Sequence, residues 1–188
     1  MLDTTRFPND EYIVNSRINI TESTGANYYG KIFTTRNKVA LLILQDAISS
    51  LPRSKEKDFL QHVMVSRLKL ARVAMYGSST DIIYHVVLEK AQESNVWELF
   101  NTQYINFKKF KEEFYFAMTD SFSSGDSYSI FNGDYAEILN NKLSREKYSL
   151  MFTDFPYTYQ VPYLERNQIF RIWLNHVSDN NELETLTE

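Results

Sequence analysis

Apolar residues recur at the α-helical period over most of this chain, and the period lapses near the N-terminus, in one internal stretch and before the last helix. Val39, Leu42, Leu44, Ala47 and Ile48 predict a helix over residues 37–49 that Pro52 ends. Ser54 is placed to cap a longer helix over 54–76, with Gly77 at the C′ position. Its stripe of Leu60, Val63, Met64, Leu68, Ala71 and Met75 is widened by Phe59, Val65, Leu70 and Val73 almost all the way round. A helix so apolar is expected at the centre of the fold, enclosed by others.

Ser79 or Thr80 starts a third predicted helix, with Ile82, Ile83, Val86, Val87 and Ala91 inward. Asn95 with Glu98 forms a capping-box-like start for a fourth segment. That segment leads into residues 103–119, where Phe107, Phe110, Phe114, Ala117 and Met118 form an expected core stripe. Asp134 with Glu137 starts a further helix, with Tyr135, Ile138, Leu139 and Leu143 inward. Pro162 suits the first turn of a last helix over 163–176, with Ile169, Ile172, Trp173 and Val177 inward.

Elsewhere the pattern changes. Residues 11–34 are rich in β-branched and aromatic positions around a turn at 24–27, and predict a small β ribbon. Residues 121–133 alternate small polar residues with aromatics, as a loop does. Residues 148–163, with Pro156 and Pro162, read as an extended aromatic connection. The expected architecture is mainly α: a single domain over 1–188 of about five to six helices with a small N-terminal β ribbon. An N-terminal arm spans 1–10, the ribbon 11–34, the helical body 35–177 and an acidic tail 178–188.

Composition narrows the function classes. The 188 residues include no cysteine, which excludes disulfides, thiol nucleophiles and thiolate metal sites, and makes an intracellular, cytoplasmic setting the simplest expectation. No apolar run approaches the ~18 residues of a membrane span, so no membrane partner is expected. A net charge of −4 argues against a generic nucleic-acid binder. No Gly-rich phosphate loop, nucleophile elbow or metal-binding histidine pair is present, so no catalytic, metal or cofactor-binding residue is assigned and no cofactor is expected. His176 lies on the apolar side of the last predicted helix, where a structural role near the helix C-terminus outweighs that of a general base. Arg67 falls inside the apolar stripe of the central helix, where a buried guanidinium must be paired; a structural ion pair outweighs an anion site.

Two groups of residues remain as contact candidates. Arg67, Lys69 and Arg72, with Lys108, Lys109 and Lys111, are the dense basic positions, and the second group interleaves with aromatics as in single-strand nucleic-acid sites. Glu112 and Glu113, one turn on, neutralise the second group and favour an ordinary solvated face. Tyr and Phe each number 13, and the surplus gathers outside the helical pattern. Tyr12, Ile18, Tyr28 and Tyr29 in the ribbon, Ile105 and Phe116 on the far side of the fourth helix, and Tyr128, Ile130 and Phe131 in the loop are the expected partner contacts. The leading expectation is a non-catalytic protein–protein interaction or assembly component, engaging a protein partner or a second copy. Viral or phage particles (with incorporation into a virion) and regulatory complexes are its settings by analogy. A nucleic-acid-binding or transcription-regulating module comes second, and an enzyme without a recognisable motif third.

Overall fold

A computed structural model describes residues 3–11, 26–73, 93–121, 131, 133–141, 143, 148–153 and 163–174, with the backbone alone for 116–121 and 163–166. Among these residues the chain forms a 3-10 turn, Tyr29–Ile32, and six α-helices: α1 Thr35–Ser49, α2 Lys55–Val65, α3 Leu68–Ala71, α4 Val96–Ser121, α5 Tyr135–Asn141 and α6 Tyr163–Leu174. The protein is mainly helical.

Short polar side chains set the helix starts. The Thr34 hydroxyl accepts from the Asn37 N–H at 3.1 Å, and the Ser54 hydroxyl from the Lys57 N–H at 3.2 Å. Asn95 Oδ1 accepts from the N–H groups of Trp97 and Glu98, and Asp134 Oδ1 from those of Ala136 and Glu137. Each satisfies donors that the first helical turn leaves open. The expected caps at residues 54, 95 and 134 are therefore present, and Thr34 supplies one more.

The expected central helix is divided. α2 ends at Val65, and Arg67 N–H turns back to the Met64 carbonyl at 3.1 Å before α3 begins. Ser66 Oγ donates to the Val63 carbonyl at 2.8 Å, the local competition that weakens a helix at serine. After α3 the chain becomes extended at Arg72, and Val73 N–H donates to the Ile32 carbonyl at 2.6 Å. Long-range pairing with the 3-10 turn thus takes the place of the helix expected at residues 72 and 73; residues 74–76 lie outside the described residues. The position of this unit is nonetheless central: α2 packs on α1, α4 and α6, and α3 on α4 and α6. Val63, Met64, Leu68 and Ala71 are buried there against Tyr29, Ile32, Leu41, Phe100 and Ile169.

The β ribbon is not supported. Among the described residues the ribbon span shows one isolated antiparallel bridge, Glu11 with Tyr28, followed by the 3-10 turn where a strand was expected. Tyr29 and Ile32 face the helices so completely that both are fully buried, which a turn of about three residues per revolution achieves and a half-buried alternating strand does not. Residues 12–25 lie outside the described residues. The N-terminal span expected as an arm carries Phe7 into the core, where its ring meets those of Tyr29, Phe33 and Trp173. The helix expected over 79–91, with Gly77, is outside the described residues, as are most of the loop 121–133 and the tail 178–188.

Two expected core stripes differ in outcome. Ile169 and Trp173 of α6 are buried as expected. Tyr135 of α5, expected inward, is exposed.

Candidate interaction surface

α4 begins inside the protein and leaves it. Val96, Phe100, Gln103, Phe107, Phe110 and Phe114 follow one another at alternating steps of four and three residues, so they share one face of the helix. Val96, Phe100 and Gln103 are buried and Phe107 is half-buried, yet Phe110 is 61% and Phe114 51% exposed. Antiparallel packing against α2 explains the change. Arg67, at the C-terminal end of α2, donates from Nη2 to Gln103 Oε1. Further along, Phe107 stacks on His62 and tilts against Phe59, and Tyr104 meets the Phe59 ring edge-on. Lys111 Nζ lies 5.0 Å from the Phe59 ring centre, close to where α2 starts. The Glu56 carboxyl is held below its ordinary pKa mainly by a backbone hydrogen bond and the Ser54 hydroxyl, with a smaller pull from Lys111. α2 starts only four residues before Phe59, so little of it is left to lie against α4 beyond Lys111.

The distal half of α4 therefore presents Phe110 and Phe114, their rings stacked with centroids 5.8 Å apart. Ile105 and Tyr115 are exposed on its other sides. A second exposed apolar stretch lies in the chain between α5 and α6, at Tyr148, Leu150, Met151 and Phe152, with Phe152 92% exposed. Large apolar side chains left in water in such numbers mark contact surfaces more often than solvated ones.

The contact residues expected from sequence are distributed as follows. Ile105 and Phe131 are exposed. Tyr28 is half-buried beneath Lys31, whose Nζ is 5.5 Å from the ring centre. Tyr29 is not at the surface: it is fully buried, and its hydroxyl donates to the Ile169 carbonyl. Phe116 lies on α4, with its side chain outside the description; Tyr12, Ile18, Tyr128 and Ile130 are outside the described residues.

The basic positions do not gather into one patch. Arg72 is 1% exposed and engaged within the fold, so its guanidinium is not offered to an outside anion. Arg67 is half-buried against Gln103, and Lys69 is half-buried and also engaged. Lys108 and Lys109 are exposed on α4, and Lys109 reaches Glu113 at 3.7 Å. The exposed Phe110 and Phe114 are the functional candidates that period alone assigned to the core. Their signal in the sequence is the basic and acidic run that surrounds them, residues 108–113, which has no counterpart around Val96 and Phe100.

Among the described residues no group of three or more His, Asp or Glu could hold a metal ion. A cleft of about 490 Å³ beside Arg67 is bordered by Glu93, Asn95 and Glu98, but Glu93 is bonded to Thr34 and Arg36 and Asn95 to its own helix. His176 and His85 lie outside the described residues. Among the described residues no helix is long and apolar enough to cross a membrane. In comparisons with known proteins, no family model matches this chain, and no curated protein or solved structure is significantly similar to it.

Proposed function

We propose that this chain is a non-catalytic protein–protein interaction or assembly component, and that the distal half of α4 is its main contact surface. One observation carries the reading: the face of α4 that is core at Val96 and Phe100 continues uncovered through Phe110 and Phe114. Aromatic side chains bury large area with few rotors, and interfaces concentrate binding energy in such anchors. The exposed Tyr148, Leu150, Met151 and Phe152 extend the same character. Assembly within a viral or phage particle and membership of a regulatory complex are both settings in which such a surface is covered by a neighbour.

The test is the double substitution Phe110→Ser with Phe114→Ser. Both side chains already face water, so the helical far-UV signal should be kept. Association, measured by analytical ultracentrifugation of the pure protein and by capture of defined partners, should be lost. Association equal to that of the parent chain overturns the reading.

A further inference from the structure

Arg67 carries a charge that no described residue neutralises. Its Nη2 donates to the Gln103 side-chain oxygen, its Nε is enclosed without an acceptor, and among the described residues it makes no ion pair. The side chain is half-buried and borders apolar Met64, Val96 and Phe100. A guanidinium in such surroundings is stabilised by a carboxylate, and the neutral Gln103 amide supplies no charge.

Arg67 also borders the cleft of about 490 Å³ at the start of α4, a volume within the ~300–1,000 Å³ of small-molecule sites. Ser94, Asn95 and Thr102 give the cleft hydroxyl and amide groups, and Leu99 gives it an apolar wall. Asn95 Oδ1 is taken by the helix cap, which leaves its Nδ2 to donate. Two carboxylates border the same cleft. Glu93 is matched by Arg36 at 3.3 Å, whereas Glu98 makes no ion pair among the described residues. Gln103, the residue that holds Arg67, lies about 7.5 Å beyond Glu98 along the helix. Two long side chains with a small ligand between them close that gap. The cleft thus offers one unmatched guanidinium and one unmatched carboxylate. An occupant with a negative charge alone is repelled by Glu98, and one with a positive charge alone is repelled by Arg67.

We propose that this cleft binds a small zwitterion of the α-amino-acid class, its carboxylate on Arg67 and its ammonium on Glu98. The hydroxyl and amide groups of Ser94, Asn95 and Thr102 favour a short polar side chain on the ligand. The site lies near the start of α4, away from Phe110 and Phe114, and goes beyond the interaction role of that distal face.

The experiment titrates L-serine, L-asparagine and L-glutamine separately into the full chain, each to about 10 mM, and follows the Arg67 Nε–H and the backbone amides of residues 94–103 by NMR. At least one of the three should give saturable shifts. Sodium propionate, a carboxylate without the ammonium, should bind about tenfold more weakly or worse, as should ethylammonium chloride, an ammonium without the carboxylate. Glu98→Gln, a change at an exposed side chain, should weaken the amino acid by about tenfold and leave propionate unweakened. Arg67→Gln should abolish binding of both; where that variant does not fold, the contrast between amino acid and propionate in Glu98→Gln decides. No saturable shift from any of the three amino acids overturns the proposal. Propionate binding as tightly as the amino acid, or amino-acid affinity unchanged in Glu98→Gln, overturns it as well.

Discussion

The Tyr29 hydroxyl donates a 2.7 Å hydrogen bond to the Ile169 carbonyl, joining positions 140 residues apart inside the core. The bond fixes the 3-10 turn to α6, and Phe7, stacked on the Tyr29 ring with Phe33 tilted against it, adds the N-terminal segment to the same unit. Tyr29→Phe keeps the ring packing and removes only the donor. A loss of about 1 kcal/mol is expected from the denaturant midpoint, the usual net worth of one intramolecular hydrogen bond. A midpoint indistinguishable from the parent would show that the hydroxyl is not engaged.

Asn37 is a second long-range tie. Its Nδ2 donates to the Ala71 carbonyl at 2.8 Å and to the Ser94 carbonyl at 3.0 Å, binding the end of α3 and the approach to α4 to the first turn of α1. Asn37 is 3% exposed, so water does not readily replace it. Asn37→Ala should cost about 2–4 kcal/mol, since buried acceptors that lose a donor cost ~1–3 kcal/mol each. Asn37→Asp, which keeps the shape but loses the amide donor, should be no better tolerated in thermal unfolding at neutral pH.

Leu68 opens α3 and is fully buried between α4 and α6. Leu68→Ala should destabilise by about 2–5 kcal/mol, the transfer loss plus the cavity left behind. A change below about 0.5 kcal/mol, as at surface sites, would remove α3 from the centre of the fold.

Arg6 and Asp46 form a two-pronged contact at 3.0 and 2.7 Å on the surface, between the N-terminal segment and α1. The hydrogen bonds from Arg6, with a smaller through-space attraction, hold the Asp46 carboxyl below its ordinary pKa. A carboxyl depressed by folding stabilises the folded state above its unfolded pKa. That contribution disappears as pH falls through the folded value. Arg6→Gln should move the NMR titration of Asp46 upward, toward the ordinary carboxylate range. An unchanged titration would mean that the contact does not persist in solution.

Binding of double-stranded DNA at physiological salt should be undetectable in a fluorescence anisotropy titration. Arg72 is buried, Lys109 is matched by Glu113, and the net charge is −4. Tight binding that falls steeply with added salt would instead point to a phosphate-binding surface, with Lys108 and Lys109 the first positions to change.

Much of this fold could be derived residue by residue. The caps at Ser54, Asn95 and Asp134 follow from side chains that satisfy the first helical turn, a local effect that needs no neighbour. The burial of Val63, Met64, Leu68, Ile169 and Trp173 follows from their period and apolarity. The candidate surface was half legible. The aromatic residues of α4 were evident, but period alone gave Phe110 and Phe114 the same inward assignment as Val96 and Phe100.

The sequence by itself determined a mainly helical protein, its helix starts and most of its apolar core, because capping and amphipathic period are properties of a few adjacent residues. Tertiary structure alone decided three further things. Tyr29 and Ile32 lie in a buried turn rather than a ribbon, because residues distant in the chain, Phe7 and Ile169 at Tyr29 and Val73 at Ile32, meet them there. The central helix breaks at Ser66, where Val73 goes on to meet Ile32. Phe110 and Phe114 are surface rather than core, because α2 begins only four residues before Phe59, the partner of Lys111, and leaves them exposed. Whether an apolar stripe is covered depends on where the neighbouring element starts, and that is not written in the stripe.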